Sequence, residues 1–140
     1  MSHSALVDAA AAGYSASESE VVALFERRRI QAQLLKGTLP LLVLAILRDT
    51  ELHGYEIAKR IRERSAGAFT PSEGSLYPVL HRLEAEGALE ATWRSGEGGP
   101  RRRYYRLTAG GRAALERAEQ EWTAFAGGVS RVAMPEAVDG

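Results

Sequence analysis

Leu76, Val79, Leu80 and Leu83 recur at intervals of three and four, which makes one apolar stripe of a helix. Ser75, Tyr77, His81 and Arg82 fill the opposite face, so a core-facing helix displays hydroxyls, a phenol, an imidazole and a guanidinium outward. The pattern places this helix between Ser72 or Ser75 and Gly87. With Ser75 as N-cap, Pro78 is the third helical residue and loses no hydrogen bond; with Ser72 as N-cap, Pro78 predicts a kink. Upstream, Tyr55, Ile57, Ala58 and Ile61 give an amphipathic helix over 54–64 with Glu56/Arg60 and Lys59/Glu63 at i, i+4. Leu39 to Leu47 is apolar on all sides, as a buried helix is, with Thr38 as its cap and Pro40 in its first turn.

The remaining pattern fills in the ends. Residues 1–16 show no period and read as a mobile leader. Ser17 and Glu20 have the spacing of a capping box ahead of Val21, Val22, Leu24 and Phe25, so a helix over 17–36 is expected, stopping at Gly37. Leu89–Trp93 and Arg103–Leu107 are strand-like, and the glycines and proline between them make a two-stranded hairpin. Thr108 caps a last helix over 109–134. There Leu115, Ala118, Trp122, Phe125, Val129 and Val132 are spaced 3, 4, 3, 4, 3, a seam suited to packing on another helix. Residues 135–140 form a tail. Three helices, a hairpin and flanking helices make a mainly α fold with a small β-wing, a winged helix-turn-helix over 37–108, and the seam predicts a homodimer.

Charge sharpens the picture. The formal net charge of the 140 residues is zero, yet residues 36–112 carry 13 Lys/Arg against 9 Asp/Glu, while residues 113–140 carry 2 against 5. A basic middle beside an acidic tail suits a phosphate-facing surface, with an excess small enough to make binding depend on salt and shape. No cysteine is present, which excludes disulfides, thiolate metal sites and cysteine nucleophiles. No apolar run approaches the roughly 18–20 residues of a membrane span, and the first residues lack the basic stretch of a secretory signal. A cytoplasmic protein without membrane attachment is expected.

The chemistry-bearing residues fall into three groups. Ser75, Tyr77, His81 and Arg82 could read base edges, with Arg82 best suited because a guanidinium pairs bidentately with guanine; the alternative is a solvated face with Tyr77 packed on a neighbouring loop. Arg101, Arg102 and Arg103 follow Gly98, Gly99 and Pro100 at the hairpin turn. Strand alternation puts Arg101 and Arg103 on the face of Tyr105 and Leu107, and Arg102 with Tyr104 and Arg106. With Leu107 facing the core, not every arginine can reach DNA; Arg101 and Arg102 are the expected phosphate contacts, and at least one arginine belongs to a solvated, charge-protected edge. Arg27–Arg29 read as a solvent face, with an extra phosphate clamp as the alternative. His53 and Glu56 lack a third ligand, so they read as structural, and no catalytic constellation, metal set or cofactor motif stands out.

Four motifs in register, Leu35-Lys36-Gly37-Thr38-Leu39, His53-Gly54-Tyr55-Glu56-Ile57, Ser75-Leu76-Tyr77-Pro78 with Leu80-His81-Arg82-Leu83-Glu84, and Gly99-Pro100-Arg101-Arg102-Arg103-Tyr104-Tyr105-Arg106-Leu107-Thr108, resemble the PadR family of bacterial transcriptional regulators over about residues 34–125. The short tail resembles the subgroup with a single C-terminal dimerisation helix, whose members include drug sensors. The resemblance implies a sequence-specific DNA-binding regulator, a ligand-responsive repressor that holds a pseudo-palindromic operator in double-stranded DNA as a homodimer. It assigns Ser75, Tyr77, His81 and Arg82 to the recognition helix. It also implies a tryptophan like Trp122 lining a cavity between protomers where a small aromatic effector stacks, with Phe125, Ala118, Leu115 and Trp93 as further lining or interface residues. Without the resemblance, Trp122 reads as dimer core and Trp93 as ordinary core beside Leu89. A winged-helix module that binds protein instead of DNA is the rival function.

Overall fold

The computed structural model describes residues 17–95 and 98–138; the leader expected over 1–16 lies outside them. In chain order the elements are helix α1 (Glu18–Ile46), strand β1 (Leu52–His53), helices α2 (Gly54–Arg64) and α3 (Glu73–Ala85), strands β2 (Leu89–Ser95) and β3 (Arg101–Leu107), helix α4 (Ala109–Ala133) and a final turn of helix, α5 (Pro135–Val138). Two compact units divide the chain, Met1–Gly37 and Thr38–Gly140.

In the first unit the capping box forms as expected. The Ser17 amide donates to Glu20 Oε2 at 3.1 Å and the Glu20 amide donates to Ser17 Oγ at 3.2 Å. The helix does not stop at Gly37, however: α1 is continuous through Gly37 and Pro40 to Ile46. The separate start expected at Thr38 is thus corrected. Leu39, Val43, Leu44 and Ile46 are all buried, and that burial outweighs the weak local stop signals of one glycine and one proline.

The second unit carries the core. Leu39, Val43, Leu44 and Leu47 join Ile57 and Ile61 of α2, Leu76, Leu80 and Leu83 of α3, and Leu89, Tyr105 and Leu107 of the sheet. Helix α2 has the bounds read from the sequence. Helix α3 is capped by Ser72, whose side chain accepts from the Ser75 amide, so Pro78 lies inside the helix and leaves the Gly74 carbonyl without its i+4 donor. The sheet is three-stranded and antiparallel in the order β1-β3-β2, which corrects the expected two-stranded hairpin. Leu52 pairs with Tyr105 and His53 with Tyr104, and on the other side Leu89 pairs with Leu107 through to Ser95 with Arg101.

The last helix is fastened to the sheet at its first turn. Thr108 caps α4 by accepting from the Gly111 amide and donates to the Gly87 carbonyl at 2.6 Å. A Cβ at Gly111 would lie 2.1 Å from the Ala88 carbonyl oxygen, so only glycine permits this approach. Arg112, also in the first turn, donates to the Arg48 carbonyl, and Glu119, nearer the middle, pairs with the Arg48 side chain. Among the described residues no helix is long and apolar enough to cross a membrane.

Candidate nucleic-acid interface

A cleft of about 500 Å³ opens between α3 and the β2–β3 hairpin. The β1–α2 junction supplies His53, Gly54 and Tyr55. Helix α3 supplies Glu73, Tyr77 and His81, and the hairpin supplies Trp93, Arg101, Arg102, Arg103 and Tyr105. Four of the residues proposed from sequence to contact DNA, Tyr77, His81, Arg101 and Arg102, thus line one surface. Ser75 and Arg82 lie on the exposed face of α3 outside that lining, and Trp93 joins it instead of the core, at 58% exposure.

The helix face forms as its pattern predicts, since Leu76, Leu80 and Leu83 are buried and Ser75, Tyr77, His81 and Arg82 are exposed. Two of the four also do structural work. Ser75 Oγ donates to the Ser72 carbonyl at 3.0 Å, within the cap. The Tyr77 ring covers Gly54, where a Cβ would stand 3.2 Å from its hydroxyl and ring carbons. Glycine at the start of α2 is therefore what lets α3 pack its tyrosine there. Arg82 faces Glu86 at 3.7 Å, an exposed pair loose enough to exchange for another partner.

The hairpin sorts its arginines by partner. Arg103 is half-buried and donates to Glu84 Oε2 at 2.6 Å, with its guanidinium 5.8 Å from the Tyr105 ring centroid. Burial pushes the Tyr105 phenol above its ordinary range, and the Arg103 charge and hydrogen bond oppose that shift. Arg106 donates to Glu90 at 2.8 Å, and Arg94 pairs with Glu51 at 3.1 Å. Arg101 and Arg102 take part in no ion pair among the described residues. Arg101 lies 5.7 Å from the Trp93 ring centroid, and Arg102 Nη1 is 3.1 Å from His53 Nε2.

His53 belongs to this surface, although its sequence context reads as structural. It is 9% exposed, stands edge-on to Tyr104 at 5.2 Å and stacks beside Tyr55 at 6.3 Å. Burial pulls the imidazole below its ordinary value, the Arg102 charge adds to that, and Glu56 opposes it. Its link to Arg102 spans 49 positions, so no local motif could have shown it. Among the described residues no group of three His, Cys, Asp or Glu is arranged to hold a metal ion.

The residues expected at a protomer interface lie on α4. Leu115 is 5% exposed within the single chain, so it belongs to the chain's own core and has no free surface for a second copy. Ala118 is half-buried, whereas Trp122 (46%), Phe125, Val129 and Val132 are exposed, and the Trp122 and Phe125 rings face each other at 6.4 Å.

Comparison with known proteins gives consistent results. Residues 43–117 match the model of the Transcriptional regulator PadR-like family. Transcriptional regulator Rv3488 of Mycobacterium tuberculosis is 48% identical over 67 residues, which cover 48% of this chain and 59% of that protein. The crystal structure of a PadR family transcriptional regulator from Eggerthella lenta superposes with a TM-score of 0.70 at 29% identity, over 81% of this chain and 97% of the other. Bacillus subtilis PadR, solved in complex with operator DNA, superposes with a TM-score of 0.52 at 26% identity, over 56% and 45% of the two chains.

Proposed function

The chain belongs to the PadR-like family of transcriptional regulators, and on that basis we propose that it represses transcription by binding a pseudo-palindromic operator as a homodimer, with release by a small aromatic effector. The observation that carries this reading is the single surface on which Tyr77 and His81 of α3 meet Arg101 and Arg102, the hairpin arginines with no carboxylate partner among the described residues. Helix α3 enters the major groove, where Arg82 exchanges Glu86 for a guanine edge, and the hairpin follows the adjacent backbone. That the Bacillus subtilis neighbour was solved in complex with operator DNA supports the DNA-binding part of this reading. Two copies joined along Trp122, Phe125, Val129 and Val132 of α4 bury an exposed apolar stripe and present two such helices to half-sites about one helical turn apart. A planar effector stacked on Trp122 releases DNA only through higher affinity for a dimer geometry with the wrong helix spacing. The same reading places the protein with its DNA in the cytoplasm.

Selection of duplexes from random-sequence DNA by the full chain, followed by gel-shift titration at two salt concentrations, tests it. Enrichment of a sequence with inverted symmetry, and binding that weakens with salt, is the expected result. A chain that enriches no sequence and binds no duplex at either salt concentration is instead a module that binds protein and not DNA. For the effector, a panel of planar aromatic compounds quenches Trp122 fluorescence, and no quenching across the panel reduces Trp122 to dimer packing.

A further inference from the structure

Arg94 and Arg102 are directly opposed partners in the β2–β3 register, an arrangement of like charges that destabilises a hairpin unless each side chain turns elsewhere. Arg94 turns to Glu51 and lies 4.1 Å from the Tyr104 ring centroid. Arg102 turns to an uncharged acceptor, His53 Nε2, at 3.1 Å. That imidazole is fixed on both sides, by Tyr104 edge-on and Tyr55 in parallel, and its backbone pairs with Tyr104 in the β1–β3 ladder. A held acceptor therefore stands beside a long, exposed guanidinium that has no ion pair among the described residues and lines the α3–hairpin cleft.

We infer that His53 is a positioning residue: as the neutral imidazole it holds the Arg102 guanidinium in place for a DNA backbone phosphate. This rests on the DNA-binding reading above. A carboxylate in its place would neutralise the guanidinium that the phosphate needs, whereas imidazole orients the cation and leaves its charge available. Fixing a flexible side chain before binding removes part of the ordering cost of the complex, an effect of roughly two- to tenfold in affinity. Protonation of His53 removes the acceptor lone pair and sets two cations together. The groups facing His53 are Arg102 and Tyr104 from β3 and Tyr55 and Glu56 from α2. Across the cleft stand His81 and Glu73 from α3, with Arg101 and Arg103 further along the strand. His81 is a second imidazole on the cleft lining, so the pH dependence is read as a difference between variants that all retain His81.

The test is a double-mutant cycle by fluorescence anisotropy, using the full chain and the duplex it enriches from random-sequence DNA. His53→Phe weakens binding roughly two- to tenfold in the wild-type background and leaves it unchanged in the Arg102→Ala background. His53→Gln, whose amide oxygen also accepts from Arg102, restores binding at pH 7.5. As pH falls from 7.5 to 5.5, wild-type affinity declines relative to His53→Gln. Thermal melts of each variant identify any loss that reflects unfolding, and His53→Gln keeps the comparison available if the phenylalanine variant does not fold. Equal losses in both backgrounds assign His53 to plain packing and overturn the inference. So does wild-type binding that tightens relative to His53→Gln at low pH, which would make His53 itself a phosphate-facing cation. A wild-type chain that binds no DNA at any pH defeats the DNA-binding reading itself, a separate outcome.

Discussion

Arginines of the same hairpin are used in two different ways. Arg103 and Arg106, toward the base, and Arg94, directly opposite Arg102, each meet a carboxylate, from Glu84, Glu90 and Glu51 in turn. Arg101 and Arg102, toward the tip, instead meet an indole ring and an imidazole. A carboxylate cancels the charge it orients; an aromatic ring or a neutral imidazole orients without cancelling. Within the hairpin, the charge with no carboxylate partner among the described residues thus rests on Arg101 and Arg102, the proposed phosphate contacts. Counting arginines in the sequence overstates the cationic surface, and counting their partners locates it.

The most severe way to break this contrast is at the base. Arg103→Ala leaves Glu84, on the inner side of α3, half-buried without its donor, and stability falls by about 1–3 kcal/mol in urea denaturation. DNA affinity of the folded protein stays near wild type. An unaltered denaturation midpoint together with lost DNA binding would place Arg103 with Arg101 and Arg102.

The tip and helix are separated by a pair of variants. Arg82→Ala costs about 1–3 kcal/mol on the preferred sequence and relaxes selectivity at one base. Arg102→Ala weakens binding to all duplexes alike and reduces the salt slope by about 1. Anisotropy titrations on specific and scrambled duplexes at several salt concentrations read both. Variants that behave alike would mean that helix and hairpin do not divide recognition as proposed.

How much of this division was legible in the sequence depends on how local its cause is. The apolar stripe of α3, the bounds of α2 and the Ser17–Glu20 box are set by residues within one or two turns, and the pattern shows them. Strand alternation put Arg103 on the side of Tyr105 and Leu107, where it is half-buried. Strand β1 is two residues long, too short to show a period, and is a strand only because β3 pairs with it about 50 positions later. The continuity of α1 through Gly37 and Pro40 is likewise fixed by the burial of Leu39, Val43 and Leu44, not by the local stop signals. Trp93 shares a strand face with Leu89, yet the hairpin extends past the edge of the core, so alternation alone placed it wrongly inside. Partners of the arginines could not be read at all, because each carboxylate or imidazole comes from a different element.

A gentler way to sharpen the contrast is pH. The folded-state value of His53 lies below that of the unfolded chain, mainly through burial and then through Arg102. The unfolded chain therefore takes up a proton first. Stability is intact above the ordinary imidazole value of 6.5, declines as pH falls below it, and stops declining once the folded imidazole is itself protonated. His53→Gln removes this part of the pH dependence in denaturation curves collected between pH 7.5 and 5. An identical slope in the variant would show that the Arg102 link carries no proton-linked stability.

The smallest effect belongs to Arg106, and its smallness is what the contrast requires. Arg106 and Glu90 are cross-strand partners in register, both about half exposed, joined at 2.8 Å. An exposed ion pair of this kind contributes about 0–1 kcal/mol, because water solvates the separated charges almost as well. Arg106→Ala should therefore shift stability by no more than that and leave both the affinity for the enriched duplex and the salt slope unchanged. The Arg102→Ala slope measured beside it supplies the scale. The two residues lie on the same face of the same strand, four positions apart, and differ in what they touch. If Arg106→Ala lowered the salt slope as Arg102→Ala does, the Glu90 pair would have to open when DNA binds, and the hairpin would present its cations along its whole length.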